Sequence, residues 1–221
     1  DAVLDCGTPV VLCCMAGSCM DLSPYADRAA AVIQTWYPGA EGGQVLADIL
    51  AGKTAPSGKL PVTFYGGDYE IPDFTDYSLK NRTYRYVEQG VLYPFGYGLT
   101  YGTAEVISAA YDSESKKVSY EIVNRSDQAV EETVQVYKKN RISRWEVKNT
   151  VLCGFAKVHL APGETRQGEI QLDEYAFTVV NDQGKRVQDG NDYLLYVGTH
   201  GPDKRSEELT GTKAIALDIK F

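Results

Sequence analysis

Lys117-Val-Ser-Tyr-Glu-Ile-Val123 is the stretch on which the fold turns. Val118, Tyr120 and Ile122 alternate with Ser119 and Glu121. A period of two puts the apolar set on one face of a strand and the polar set on the other. The alternation recurs downstream: Val134 and Val136 with Thr133 and Gln135, and Ile215, Leu217, Ile219 and Phe221 with Ala216, Asp218 and Lys220. Turn signals separate these runs at Asp112-Ser113, Pro162-Gly163, Asp182-Gln-Gly184 and Asp189-Gly-Asn191. Roughly seven short strands of this kind predict an antiparallel β-sandwich over residues 104–221. Its polar positions are expected to face water, and no helix-period segment interrupts it.

Toward the N-terminus the period changes. Pro9-Val-Val-Leu-Cys-Cys-Met15 is a continuous apolar run, which reads as a strand covered on both faces. Ser23-Pro24 supplies an N-cap and a proline at the first helical position, so a short helix is expected over Ala26–Ala31. Val32 to Trp36 reads as a second buried strand. Val45, Leu46, Ile49 and Leu50 recur at helical spacing, with Gly52 as the C-terminal cap. This order describes a parallel βαβα unit, and Leu60-Pro-Val-Thr-Phe64 is a further strand candidate. Residues 1–95 therefore read as an α/β domain, residues 96–103 as a junction. Two or three parallel strands leave faces and edges uncovered, so the first 95 residues are expected to be the tail of a larger domain. The loops over 53–58 and 65–81 are either functional or wrap a neighbour.

Composition narrows the function. The 221 residues are 43% hydrophobic and 24% charged, which argues against wholesale disorder, collagen-like repeats and coiled coil. A net charge of −8 disfavours nucleic acid and anionic membrane as partners, because both reward clustered Lys and Arg. The apolar run ending at Ala16 is far shorter than the roughly 20 residues a membrane helix needs. Five cysteines, two of them adjacent at Cys13 and Cys14, read as free thiols of a reducing compartment, which implies a cytoplasmic location. No CxxC or HxxxH spacing exists, so no metal is expected, and no cofactor is indicated. Asn81-Arg-Thr83 and Asn124-Arg-Ser126 match glycosylation sequons, a common chance tripeptide that the thiols argue against.

Several motifs then occur in order: Trp36-Tyr-Pro-Gly-Ala-Glu-Gly-Gly43, Ala55-Pro-Ser-Gly-Lys-Leu-Pro-Val-Thr-Phe64, Arg82-Thr-Tyr-Arg-Tyr86 and Tyr93-Pro-Phe-Gly-Tyr-Gly-Leu-Thr-Tyr101. Together they resemble the C-terminal region of family 3 glycoside hydrolases, the β-glucosidases and β-xylosidases. Leu152 to Glu164 and Tyr193 to Gly198 resemble that family's fibronectin type III-like domain. The resemblance implies a barrel and most of an α/β sandwich domain preceding this region. It also places the catalytic Asp nucleophile and the acid/base Glu upstream of Asp1, so no catalytic residue is expected in the chain. The chain departs from the family's common residues at Ala16-Gly-Ser-Cys19, Ala40 and Ala55, which leaves the sugar open.

Candidate substrate-cleft residues are Ser18, Tyr37 and Glu41, at the ends of the two parallel strands. Ser18 and Tyr37 equally suit turn-forming or packing roles. For Glu41 the favoured alternative is capping of the helix near Gly42 through its dipole. Arg82, Tyr84, Arg85 and Tyr86 suit either sugar contact or, preferentially, a strand pinning the long loop to the junction. Glu131-Glu132 and Glu207-Glu208 are expected on the surface, and His159 and His200 at the surface or strand ends. The resemblance implies part of a retaining, exo-acting enzyme for terminal β-glucosyl or β-xylosyl residues, inactive alone, whose partners are the preceding barrel segment and a β-linked glycoside. The alternative is a stand-alone carbohydrate-binding or scaffold module.

Overall fold

The computed structural model describes residues 1–221. Val11–Cys14 (β1) and Ala31–Gln34 (β2) pair in parallel, from Val11 opposite Ala31 to Cys14 opposite Gln34. Between them Ser23–Ala26 (α1) makes one turn opened by Pro24. The helix expected over Ala26–Ala31 is thus shorter and earlier. Leu22 rather than Ser23 holds the N-cap, and Ala30 N already donates to Val10 O at 2.8 Å to begin the parallel ladder. Gly42–Leu50 (α2) forms where the apolar spacing predicts it, and Gly52 closes it at φ 70°.

Phe64–Tyr65 (β3) pairs antiparallel with Val91–Tyr93 (β4), so the run from Leu60 does not extend the parallel sheet. Leu60 instead donates to Tyr97 O at 2.9 Å and accepts from Gly96 N at 2.8 Å, lying along the junction. Thr83–Tyr86 (α3) is a helical turn, where the Arg/Tyr alternation suggested a strand. Four residues show too little of either period to decide between them. Its role is nonetheless to pin the long loop: Arg82 Nη2 donates to Pro72 O and Asp73 O at 3.0 and 2.7 Å, while Tyr84 stacks on Phe95 at 4.0 Å.

The second layer holds Ala104–Asp112 (β5), Lys117–Asn124 (β6), Val130–Asn140 (β7), Val151–Leu160 (β8) and Thr165–Gln171 (β9). A small hairpin, Val179–Val180 (β10) with Arg186–Val187 (β11), precedes Asp192–Gly198 (β12) and Ile215–Lys220 (β13). A three-stranded sheet ordered β5-β6-β9 packs on a four-stranded sheet ordered β13-β12-β7-β8, all pairs antiparallel. Val118, Ile122, Val134, Val136, Leu195 and Val197 are wholly buried between them. This core comprises 18 buried residues, against three (Cys14, Leu22 and Phe64) in the first layer, so most apolar stabilisation resides in the sandwich.

Four expectations are corrected. A helix does interrupt the sandwich: Lys204–Thr210 (α4), capped by Asp203, which accepts from Ser206 N at 2.9 Å, and ended by Gly211 at φ 70°. Seven residues are too few for a 3.6 period to register. β1 is not covered on both faces, since Val11 is 43% exposed and only Cys14 is buried. The polar positions of β7 do not face water, because the first layer lies against them. Gln135 Nε2 donates to Gly96 O at 2.9 Å, and Tyr137 Oη donates to Gln135 Oε1 at 2.7 Å. Glu132, expected on the surface with Glu131, is buried and ion-paired to Lys59 Nζ at 2.7 Å.

Leu195→Ala should lower stability by about 3 kcal/mol, and Glu132→Ala by a similar amount by leaving Lys59 unpaired. Val45→Ala on the exposed flank of α2 should stay within about 0.5 kcal/mol. Urea unfolding of the three variants measures the contrast.

Candidate functional site

In open α/β sheets, ligands sit beyond the carboxyl ends of the parallel strands. Here those ends are residues 15–22 after β1 and 35–41 after β2. Two bonds clamp them together: Gln34 Nε2 donates to Ala16 O at 2.8 Å, and Thr35 Oγ1 donates to Cys14 O at 3.1 Å. Trp36 then adopts φ 55°, a conformation that costs a bulky L-residue on the order of 1–2 kcal/mol. Its indole meets Phe64 edge-on at 6.2 Å, which holds the bend. The bend throws Tyr37 outward, 79% exposed, with its ring over Gly17. A Cβ at Gly17 would lie 2.5 Å from Tyr37 Cε2, so only glycine leaves the ring this seat.

The structure therefore brings Tyr37 onto the loop that carries Ser18, itself exposed. Glu41 occupies the N-cap position of α2, but its side chain makes no capping hydrogen bond and is exposed. What remains of the capping role is the dipole term. Asp21 escaped the sequence reading. Its carboxylate accepts from Ser23 N at 3.0 Å and from Ser23 Oγ, while Ser23 Oγ accepts from Gly67 N at 2.9 Å. This relay ties the long loop to the strand ends, and the Asp-x-Ser spacing of an Asx turn was its only signal.

Five carboxyls are shifted, and all move down: Asp21, Asp73 and Asp112 chiefly through side-chain hydrogen bonds, Asp76 and Glu164 through backbone N–H donors. These are turn-closing anions, the opposite of a proton donor, which needs a raised value. No group of three or more His, Cys, Asp or Glu side chains is placed to hold a metal. His159 is exposed, but His200 is buried, with Nδ1 2.8 Å from Gly201 O and Nε2 2.8 Å from Thr212 Oγ1. It ties together the two ends of α4. Glu208 is exposed, and Glu207 is half-buried on the same short helix.

Residues 1–101 match the glycosyl hydrolase family 3 C-terminal domain, and residues 132–201 match the fibronectin type III-like domain. A xylan 1,4-beta-xylosidase of Xylanibacter ruminicola is 37% identical over 93% of this chain and 24% of its own length. Beta-glucosidase B of Emericella nidulans is 32% identical over 89% of this chain and 26% of its own. Among solved structures, the beta-glucosidase of Kluyveromyces marxianus superposes with a TM-score of 0.82 at 29% identity, covering all of this chain and 28% of that one. The chain thus spans about a quarter of the length of these relatives.

Gly17→Ala should displace the Tyr37 ring at little cost in stability, under about 1 kcal/mol, because an exposed side chain can swing away. A shift of the Tyr37 ring resonances with an unchanged urea midpoint is the expected signature. For Asp21, the lowered carboxyl means that its turn persists at neutral pH and is lost as pH falls through that lowered value, below the ordinary carboxylate range near 3.9. The Ser23 amide and the Asp21 side chain should co-titrate there by NMR.

Proposed function

The chain belongs to the C-terminal region of glycoside hydrolase family 3, and from that premise we propose that it completes a retaining, exo-acting β-glycosidase without carrying its catalytic carboxylates. In this reading residues 1–95 are the end of an α/β domain, residues 96–103 join it to the sandwich, and residues 104–221 support it. Terminal β-glucosyl or β-xylosyl units are the substrates, as the names of the relatives suggest.

One observation carries the reading: the apolar surface of the first layer lacks cover. Val11, Met15, Val45 and Leu50 are 43%, 64%, 53% and 51% exposed, and the loop beyond β3 presents Ile71, Phe74 and Tyr77 at 78%, 87% and 83%. Exposed apolar surface on this scale marks an interaction face, and an α/β layer is stable only when such faces are covered. A preceding barrel and the rest of the α/β domain would cover them. Retaining hydrolysis needs two carboxyl groups about 5 to 5.5 Å apart, one with a raised pKa. The shifted acids here all move down, which supports a non-catalytic role for this region, with Ser18, Tyr37 and Glu41 contributing the strand-end surface to the cleft wall. We also place the protein in the cytoplasm. Five free thiols support this, Cys153 being inert because burial pushes its pKa up to about 12.

Incubated alone with an aryl β-glucoside and an aryl β-xyloside, the 221-residue chain should release no aglycone above a buffer blank. Turnover above the blank overturns the reading.

A further inference from the structure

A cavity of about 650 Å³ opens where the two layers meet, within the size range of small-molecule sites. Val87 and Phe95 line it from the first layer, Thr150 and Lys148 from the sandwich, and Arg205 from α4. None of Ser18, Tyr37 and Glu41 contributes to it.

The charged groups in its wall, four cations and three carboxylates, are already engaged, Lys204 sharing Glu208 at 3.6 Å. Lys148 pairs with Glu88, and Arg205 pairs with Glu208 at 3.4 Å while donating Nε to Leu92 O at 3.1 Å. Lys139 Nζ donates to the carbonyls of Val147 and Lys148 at 2.5 and 2.7 Å. Asp203 accepts from Ser206 N and Oγ at 2.9 and 2.6 Å. The neutral side chains left without hydrogen-bond partners are the buried Thr63 hydroxyl, the Tyr84 hydroxyl, the Gln89 amide and the Thr150 hydroxyl, beside the apolar Val87 and Phe95.

That combination selects a ligand class. An anion would have to displace the carboxylates and carbonyls that already hold these cations. A wholly apolar ligand would strand the amide and hydroxyls away from water. A neutral polyol offers hydroxyls to the polar groups and C–H faces to the apolar ones. We propose that the junction cavity is a saccharide-binding site that takes a neutral mono- or disaccharide. It needs no catalytic carboxylate and goes beyond the activity proposed above, which guides only the choice of sugar.

The test is an NMR titration of the 221-residue chain with xylobiose, with cellobiose and, separately, with sodium sulfate. Either disaccharide should cause saturable shifts at Gln89, Thr150 and Arg205, with a Kd on the order of 1 mM. The double variant Gln89→Ala, Thr150→Val, at positions that carry no core packing, should raise that Kd about tenfold. Tyr37→Ala should leave it unchanged. The proposal is overturned by no saturable shift with either sugar, by saturation with sulfate alone, or by an unaltered Kd in the double variant. Shifts centred on Ser18 and Tyr37 also overturn it, while leaving the glycosidase reading intact.

Discussion

β7 is buried on both faces, and the arrangement of the two layers depends on that. Its inward face contributes Val134 and Val136 to the sandwich core. Its outward face presents Thr133, Gln135 and Tyr137, all under 8% exposed, to the backbone of the junction. Gln135 reaches both Gly96 O and Thr199 O, and Phe95 meets Tyr137 edge-on at 6.5 Å. Close approach of this kind needs glycine. Gly96, at φ 79°, has no room for a Cβ against Tyr137 Oη and Gln135, and Gly98 none against the carbonyl of Gly58. The Lys59–Glu132 pair closes the same seam in a desolvated setting, where loss of one partner leaves an uncompensated charge.

A consequence is an asymmetric molecule. The sandwich has enough buried apolar surface to organise itself, and β7 and β12 at its centre are the strands it is built around. The first layer has a packed cluster of only three buried apolar side chains and holds its shape largely through attachments to its neighbour: Leu60 along the junction, Tyr101 Oη donating to Ile49 O at 2.8 Å, and Asn149 Nδ2 donating to the carbonyls of Tyr84 and Val87 at 2.9 and 2.8 Å. The strained Trp36 backbone persists because its indole is held edge-on against the buried Phe64. Many of the tyrosines and aromatic partners between residues 65 and 101 serve here, in stacked pairs such as Tyr65 with Tyr69 and Tyr93 with Tyr97.

How far residues could be read depended on the range of the interaction that places them. Val118, Tyr120 and Ile122 declared their face through a local period, and the turns at Asp112 and Pro162 declared theirs through backbone preference. α2 was legible from its apolar spacing and Gly52. α3 and α4 were not, because a four- or seven-residue helix ends before its period can repeat. Within the candidate site, Ser18, Tyr37 and Glu41 could be named from their position after strands. The seat of Tyr37 on Gly17 and the link from Ser23 to Gly67 join residues 20 or more positions apart, and no local pattern encodes that.

By itself the sequence determined the two-layer order, the antiparallel sandwich, the parallel βα unit and the family, since each follows from local periodicity or from motifs in a set order. Tertiary structure alone decided which polar residues are buried. Glu132, Gln135 and His200 look like surface groups in a one-dimensional pattern, and they leave solvent only because a distant segment or a neighbouring turn supplies the hydrogen bonds and charge that burial demands.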